Sequence, residues 1–408
     1  MQERNELTLL PALSELTDEH IVNTARAVNE PGWLLLKRQQ AWKHFADSVP
    51  PFWRRTDLTK FKSEQVAAPV GVFGTQLELD ETLAAQGVIF MPLGAVLRDQ
   101  EPLVRQYFGT AVDPLAHKFT ALHAALWQDG VFLYVPKHVA LEKPIRATFT
   151  FPEGATSIFP HNIVIVEEGA SVTFIEEYTS DDMAGQAFAS PATEIFIGDN
   201  ASVRYITAQN WGKGVYTVGS QIAKVGNNSN LEWIALNLGG KLQHLEAETY
   251  LEGNGSRVDW QASTFAEDGQ TLLTAPWLRH IGANTEGHMD FKTVVNGGGY
   301  TTFDGMIKIE KGSRETISRL EEHAIHLSEK ARSDSIPGLR IDTNDVQRAG
   351  HASTSGQVDE EMLFYMRSRG IQRDDAMKLI VMGFFEPVLD RLSADMRERM
   401  TGIIEGKI

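Results

Sequence analysis

The sequence predicts a mainly β protein, organised as a parallel β-helix core with helical regions at both ends. Between about Gly130 and Glu310, short β-rich runs alternate with Gly and Asn turns, and no helical pattern is convincing. Within this stretch a unit recurs every 27 to 31 residues. A unit of this size cannot bury its apolar face alone, whereas stacked units can. A β-sandwich stays open as the alternative fold, although a sandwich would not show this self-similarity.

Residues 1–127 are predicted to form a mostly helical N-terminal domain. A first helix begins after Thr17, because Thr, Asp and Glu at a helix start cap free N–H groups. A second helix begins near Trp33 and stops before two consecutive prolines. The segment Gly87–Leu93 has the composition of a strand, and Val96–Trp127 returns to helical spacing.

Residues 128–345 are predicted to form the β-helix core. Four clear copies of the unit begin with a Gly/Asn turn and continue into apolar residues, and a fifth, weaker copy begins near Ala283. A coil with two or three short strands uses about this number of residues, whereas a propeller blade needs about 40. Equivalent apolar positions in the four clear copies are Val172, Val203, Leu231 and Val258.

Residues 346–408 are predicted to form a C-terminal helical domain. Asp359–Glu361 places acidic residues at a helix start, and Gly370 supplies the left-handed residue that ends many helices. A second helix, Asp374–Leu392, carries an apolar stripe at i, i+3, i+4 spacing, and Pro387 is expected to end or kink it. A helical pair this small must pack against the β-helix or against another protein.

Composition excludes several classes of protein. The formal net charge is −16 and no basic stripe is present, which argues against a nucleic-acid partner. No apolar run approaches the length of a membrane span, and the first residues do not resemble a secretion signal, so we expect a cytoplasmic protein. The absence of cysteine excludes disulfides, thiolate nucleophiles and cysteine-ligated metal within this chain.

Two sets of residues could carry chemistry of their own. His323 and His326, beside Glu321 and Glu322, could form part of a metal site if the segment were helical, although a solvated polar segment is the simpler interpretation. A carbohydrate-cleaving β-helix enzyme would need paired carboxylates on neighbouring coils. The candidate carboxylates are Glu176, Glu177, Glu246, Glu248, Asp259 and Asp290, and the tryptophans that could line a sugar groove are Trp211, Trp233, Trp260 and Trp277.

Five stretches in register resemble the SufB/SufD family of iron–sulfur cluster assembly scaffolds. They are NEPGWLLLKRQQA at Asn29, PHNIVIVEEGASV at Pro160, VRYITAQNW at Val203, SDSIPGLRI at Ser333 and DVQRAGHASTSGQVDEEMLFYMRSRGI at Asp345. The resemblance implies a right-handed parallel β-helix between N-terminal and C-terminal helical domains. It also implies that two β-helical subunits pair with each other and that the ATPase SufC binds the C-terminal helices.

The resemblance favours the SufD branch of the family. The family's cluster-bearing cysteine corresponds to a position near Asp342, and this chain has no cysteine. The SufD pattern C-S-H-G-A-T corresponds to Ala349–Thr354, where the histidine is retained as His351. The resemblance implies that His351 faces the partner's cysteine where the cluster forms. Gln209 and Trp211 look more like SufB, in which such residues line the β-helix interior and are associated with sulfur passage.

The resemblance therefore implies a non-catalytic scaffold that binds a SufB-like subunit, or a second copy of itself, and docks SufC. An iron–sulfur cluster would reside transiently at the partner interface, with His351 as a ligand to iron, and the isolated chain would hold no cofactor tightly. A carbohydrate-active β-helix enzyme and a purely structural homodimer remain the alternatives. The residues predicted to bind the ATPase are Met362, Phe364, Tyr365, Arg367, Arg369 and Phe384.

Overall fold

The structure, a computed structural model, describes residues 11–69, 74–77 and 82–408. Residues 1–10 lie outside the described residues. They belong to the predicted N-terminal domain and include the start of the chain, where no secretion signal is expected. The predicted architecture is confirmed: a parallel β-helix of about eight coils carries helices at both ends of the chain. The β-sandwich alternative is therefore wrong.

α-Helices lie on both sides of the parallel strands, and six of the described α-helices come before Val131. The helix predicted after Thr17 and the helix predicted near Trp33 are both present, as α1 and α2. The described helices are α1 (Asp18–Ala27), α2 (Gly32–Asp47), α3 (Thr82–Ala85), α4 (Leu93–Asp99), α5 (Glu101–Tyr107), α6 (Lys118–Leu126), α7 (Glu360–Ser368), α8 (Arg373–Leu389) and α9 (Ala394–Glu405).

Short strands occupy most of the chain between α6 and α7. In chain order the described strands are β1 (Gly74–Leu77), β2 (Ile89–Pro92), β3 (Val131–Val135), β4 (Ile145–Thr150), β5 (Ser157–Ile158), β6 (His161–Val166), β7 (Ser171–Thr179), β8 (Ala187–Ala189), β9 (Ala192–Ile197), β10 (Ser202–Asn210), β11 (Val215–Val225), β12 (Asn230–Asn237), β13 (Leu242–Leu251), β14 (Arg257–Ala266), β15 (Thr271–His280), β16 (Glu286–Val295), β17 (Tyr300–Phe303), β18 (Met306–Ile309), β19 (Thr316–His326), β20 (Arg332–Ser335), β21 (Gly338–Ile341) and β22 (Val346–Gln357).

These strands form two sheets that enclose an apolar lumen. One sheet has the order β1-β4-β7-β10-β12-β14-β16-β19-β22, and the other runs β2-β3-β6-β9-β11-β13-β15-β17-β20 with short strands added beside it. The first pair in each sheet is antiparallel, and the pairs that follow are parallel. The equivalent positions predicted from the repeat are direct neighbours, since Val172 pairs with Val203, Val203 with Leu231, and Leu231 with Val258.

The turn of each coil explains the Gly and Asn residues of the repeat. One residue in each turn has a positive φ, which glycine and asparagine adopt most readily. The N–H of that residue donates to a carbonyl in the turn of the next coil, for example Asn200 to Asn227 and Asn228 to Asn254. The residues at this position are Gly169, Asn200, Asn228, Gly255, Asn284 and Glu315.

The C-terminal boundary differs from the prediction. The helical region was expected to begin at residue 346, but Val346–Gln357 forms β22, the last strand of the β-helix. Its residues are polar because no further coil covers them, so the segment resembles a loop. The chain then enters α7 behind Asp359, whose side chain accepts hydrogen bonds from the Glu361 and Met362 amides, and α7 is followed by the left-handed Gly370.

Of the last two helices, one was predicted from the sequence and one was not. The predicted second helix corresponds to α8, and Pro387 lies in its final turn, two residues before it ends at Leu389. A third helix, α9, was not predicted. Its buried residues Met396, Met400 and Ile404 recur every four residues, which is a helical signal that the sequence does contain.

A buried carboxylate attaches the N-terminal helical region to the β-helix. Glu194, on β9, is fully buried and accepts hydrogen bonds from four consecutive backbone amides, residues 109–112, at 2.6–3.1 Å. Its Oε1 also lies 2.8 Å from Nε2 of His161. Burial alone would raise the pKa of Glu194, but the His161 imidazole and the amide donors together hold that pKa below its ordinary value.

Replacing this carboxylate should loosen the N-terminal region. We expect Glu194→Ala to lower the free energy of unfolding by about 3 kcal/mol, because the amides and His161 lose a buried acceptor. Chemical denaturation monitored by circular dichroism measures this change. Glu168→Ala is the control, since Glu168 forms an exposed pair with Lys137 and such pairs contribute little. Equal midpoints for the two variants would contradict the assignment.

Candidate functional site

One row of lumen positions leads through the β-helix to His351. Register pairing places one residue of each coil directly beside the next, at a spacing of about 4.8 Å. The row consists of Phe174, Tyr205, Trp233, Trp260, Met289, Leu320 and His351. The first six are buried, and Leu320 lies in the lumen cluster. His351 is exposed because it belongs to the last coil, beyond which the described chain adds no further strand.

His351 lies on the edge strand of the nine-stranded sheet. On its paired side, β22 bonds to β19 along its whole length, with one irregularity near Thr316. On the other side, its backbone groups have no neighbouring strand among the described residues. The imidazole of His351 has no hydrogen-bond partner in the described part of the chain. The structure therefore presents this ring and an open strand edge together at one end of the β-helix.

A cluster of hydroxyl groups lies beside this histidine, and we call it the mouth cluster. It consists of Ser333, Ser335, Ser353 and Ser355, together with Glu322 and His326. Ser353 Oγ donates to Glu322 Oε2 at 3.1 Å and lies 2.8 Å from Ser335 Oγ. Glu322 is only 1% exposed, and burial raises the pKa of its carboxyl group. Sequence reasoning missed this cluster, although the register of the repeat places Ser353 opposite Glu322.

The C-terminal helices α8 and α9 pack against the outer face of the nine-stranded sheet. Sheet residues such as Ile206 and Phe265 contact helix residues such as Phe385 and Met400 in one apolar cluster. Ion pairs surround that cluster. Arg399 holds Glu177 with two contacts of 2.8 and 2.9 Å, Arg391 contacts Glu232 and Asp259, and Lys407 contacts Glu267. The C-terminal helices were predicted to pack against the β-helix or another protein, and α8 and α9 pack against the β-helix.

Helix α7 leaves much of its apolar surface exposed. Leu363 is its buried contact, and it packs with Ala376 and Met377 of α8. Met362, Phe364 and Tyr365 are 50–73% exposed, Leu379 of α8 is also exposed, and the Arg369 guanidinium lies over the Tyr365 ring. Arg367 is exposed as well. We call Met362, Phe364, Tyr365, Arg367, Arg369 and Leu379 the α7 patch.

Phe384 differs from the other residues predicted to bind a partner. It is half-buried, packs against the cluster between α8 and the sheet, and has the Lys292 ammonium near its ring. Phe384 is therefore not part of the α7 patch.

His323 and His326, the histidine pair considered as part of a metal site on a helix, lie on a strand. Thr316–His326 forms a strand and not a helix, so residues three apart point to opposite sides. His323 Nδ1 lies near Thr354 Oγ1, whereas His326 Nε2 lies near Ser333 Oγ. The described residues contain no group of three or more His, Asp and Glu side chains placed to hold a metal ion.

The candidate carboxylates do not form a glycosidase pair. Glu176 is buried within the lumen, and the other five form ion pairs: Glu177 with Arg399, Glu246 with His117, Glu248 with Arg279, Asp259 with Arg391, and Asp290 with Lys292. Trp211, Trp233 and Trp260 are buried, so they cannot line a sugar groove, and the half-buried Trp277 lies beneath Arg279. In the described part of the chain, these six carboxylates therefore do not provide two free carboxyl groups in one open groove.

Gln209 and Trp211 occupy interior positions, as the resemblance implied. Both the oxygen and the nitrogen of the Gln209 side-chain amide form hydrogen bonds. Its amide accepts from the Gly239 N–H and donates to the Gly239 carbonyl and to Gln243. Trp211 packs against Phe151 and Tyr178. These contacts give both residues a packing role. Separately, none of the described helices has the length and hydropathy needed to span a bilayer.

Comparison with known proteins agrees with this architecture. Residues 149–384 match the family described as "SUF system FeS cluster assembly, SufBD core domain", and residues 53–147 match "SufBD protein N-terminal region". The chain is 36% identical to the iron–sulfur cluster assembly protein SufD of Bacillus subtilis, over 98% of this chain and the full length of that protein. It is 29% identical to SufBD family proteins of Staphylococcus saprophyticus and Staphylococcus epidermidis, over 90% of this chain and 79% of each relative.

Two phenylalanines should show which helix surface is docked on the β-helix. Phe385 is fully buried against Phe265, whereas Phe364 is 73% exposed. We expect Phe385→Ala to lower the free energy of unfolding by about 3–5 kcal/mol, because it leaves a cavity. Phe364→Ala is the matched control and should change that free energy by less than about 0.5 kcal/mol. Thermal and denaturant unfolding of both variants provide the test, and a similar loss in both would refute this packing.

Proposed function

The chain belongs to the SufB/SufD family of iron–sulfur cluster assembly proteins, and on that premise we propose that it is a non-catalytic scaffold subunit of a cluster assembly complex. The observation that carries the proposal is the open last coil, which exposes His351 beside an unpaired strand edge. A scaffold of this kind would complete a cluster site with a partner instead of enclosing one itself. The iron and sulfide of the cluster would be cargo, held transiently at the interface.

The proposed partner is a SufB-like subunit that pairs with the last coil. A free strand edge forms backbone hydrogen bonds readily with another strand, so β22 is suited to extend into the sheet of a second β-helix. The partner must provide the thiolate ligand, because this chain contains no cysteine. A second copy of this chain could pair in the same way, but a homodimer would contain no cysteine at the site.

His351 would supply an imidazole ligand to iron at that interface. Imidazole is a common ligand of iron, and histidine replaces cysteine on some iron–sulfur centres. The ring is exposed, and no side chain or backbone group among the described residues forms a hydrogen bond with its nitrogen atoms. The mouth cluster beside it offers hydroxyl donors that could orient a bound anion or water near the metal.

The α7 patch would be the docking surface for the SufC ATPase. It combines exposed aromatic and methionine side chains with two arginines, residue types that are enriched at protein interfaces. Most apolar residues of α8 and α9 pack against the β-helix or against Leu363, so α7 and the exposed Leu379 of α8 stay available. Because an ATPase of this kind consumes ATP, the proposal places the complex in the cytoplasm.

Removal of the His351 ring should weaken iron retention in the assembled complex. The variant His351→Ala is co-expressed with a cysteine-bearing paralogue and the ATPase, and iron and sulfide are measured in the purified complex. We expect iron to be held at least about 10-fold more weakly, since even indirect support of a metal ligand is worth that much. His323→Ala is the control, because His323 is also near the last coil but pairs with Thr354. Undiminished iron in His351→Ala would count against the site.

A charge placed on the α7 patch should weaken ATPase binding. We expect Phe364→Glu to reduce the affinity by about 2 kcal/mol or more, the usual effect at the centre of an interface. Isothermal titration with the purified ATPase measures the loss. Phe52→Glu is the matched control, since Phe52 is 90% exposed but lies in the N-terminal region. If both variants bind the ATPase as the unaltered chain does, the docking surface lies elsewhere.

A further inference from the structure

A cavity of about 560 Å³ lies where the N-terminal helices lead into the β-helix, and we call it the N-terminal cavity. Its walls come from the turn between α1 and α2, from the first residues of α4 and α5, and from the segment that joins α6 to β3. A volume of this size is typical of sites for small molecules. The apolar residues of the lining are Val28, Pro31, Pro92, Ala95, Leu97 and Trp127.

Carboxylates outnumber cations among the charged residues of this lining, which are Glu30, Arg98, Glu101 and Asp129. The charge of Glu30 is neutralised by Arg38, since the two side chains form an ion pair in which each is only 2% exposed. Two carboxylates and one guanidinium remain. The N-terminal cavity therefore keeps a net negative charge, which favours a positively charged ligand.

Asp129 is the most buried of these charged groups that has no counter-ion. Its side chain belongs to a residue that is 6% exposed, and no described residue forms an ion pair with it. Its Oδ1 accepts hydrogen bonds from the Gly94 and Gly130 amides at 2.9 Å each, which fixes the carboxylate in place. Burial raises the pKa of Asp129, although these amides and the Arg98 charge act in the opposite direction. A bound cation would supply the missing counter-ion.

The second carboxylate, Glu101, is also held in place by a neutral donor. Its Oε1 accepts a hydrogen bond from the indole N–H of Trp33 at 2.8 Å, and no described residue forms an ion pair with it. A metal ion is a poor match for this pair, because the described residues contain no group of three or more His, Asp and Glu side chains placed to hold one. An ammonium or amidinium group is a better match, since its N–H donors form charge-assisted hydrogen bonds with carboxylates.

We propose that the N-terminal cavity binds a small organic cation, with its charged nitrogen group hydrogen-bonded to Asp129 and its apolar body against Pro31, Pro92 and Leu97. Glu101 adds negative charge to the same cavity. The site is separate from the last coil and needs no metal, so it does not depend on the proposed scaffold function. Because the lining comes from four segments of the N-terminal region, a bound ligand joins them and stabilises that region by mass action.

Benzamidine and benzamide test whether the cavity selects a positive charge. The two molecules have nearly the same shape, and only benzamidine is a cation at neutral pH. Isothermal titration calorimetry of the full chain with each probe measures the affinities. We expect benzamide to bind at least about 10-fold more weakly than benzamidine, because hydrogen bonds between charged groups are stronger than those between neutral groups. Equal affinities, or no binding of benzamidine, would overturn the proposal.

The variant Asp129→Asn tests the assigned carboxylate. Asparagine keeps an oxygen that can accept from the Gly94 and Gly130 amides, so the charge is lost but the local structure is expected to remain. Benzamidine affinity should fall at least about 10-fold, toward that of benzamide. Asp113→Asn is the matched control, because Asp113 is exposed, lies outside the cavity and also accepts a backbone amide, that of Leu115 at 2.9 Å. An equal loss in both variants would assign the effect to the net charge of the chain and contradict the site.

A third variant tests the cavity without changing its charge. Ala95 lines the cavity, so Ala95→Phe should fill part of it and weaken benzamidine binding while Asp129 stays in place. Circular dichroism shows whether each variant is folded. Unchanged benzamidine affinity in folded Ala95→Phe or in folded Asp129→Asn would place the probe elsewhere on the chain and overturn the proposal. If Asp129→Asn does not fold, the comparison of benzamidine with benzamide and the Ala95→Phe variant still decide.

Discussion

The structure depends on one interaction, the backbone hydrogen bonding between successive coils. Parallel pairing holds equivalent residues about 4.8 Å apart, so each coil specifies where the next one places its side chains. The left-handed turn residues, such as Asn200 and Asn228, maintain this stacking at the corner of each coil by donating to the next turn. A row of side chains is therefore a physical unit that extends over the whole length of the lumen. His351 owes its position to that row, because it is the residue that continues the line of Leu320 beyond the last covered coil.

The two ends of the chain use the β-helix in different ways. The N-terminal region is attached through buried polar groups. The Glu194 carboxylate accepts hydrogen bonds from four backbone amides and contacts the His161 imidazole. Such a contact is highly directional, because a displaced donor would leave a buried charge without compensation. The C-terminal helices combine an apolar cluster with surrounding ion pairs, among which Arg399 and Glu177 are paired twice. Since α8 and α9 are held in this way, α7 can expose aromatic side chains without loss of the fold.

Local patterns in the sequence predict the β-helix but not all of its contacts. Turn residues recur with the period of a coil, so stacking and register follow from Val172, Val203 and Leu231 without a structure. The last coil escaped this reasoning, because residues such as Ser353 have no covering coil and need not be apolar. Glu194 meets a loop more than 80 residues earlier in the chain, and no local spacing records such a contact. The resemblance to a family located His351, whereas the mouth cluster needed the pairing of β19 with β22.

The stacked turns also have an evolutionary consequence. A deletion or insertion of one residue within a strand would invert the side chains that follow it in that strand, because neighbours alternate between lumen and exterior. The length of the stack can therefore change only by complete coils, each moving the open end by a fixed step along the axis, whereas the turns vary in length. The axial distance between Glu194 and His351 can therefore take only a discrete set of values, set by the number of coils. Relatives that must bring their two ends to matching partners are expected to conserve the number of coils more strictly than the residues within them.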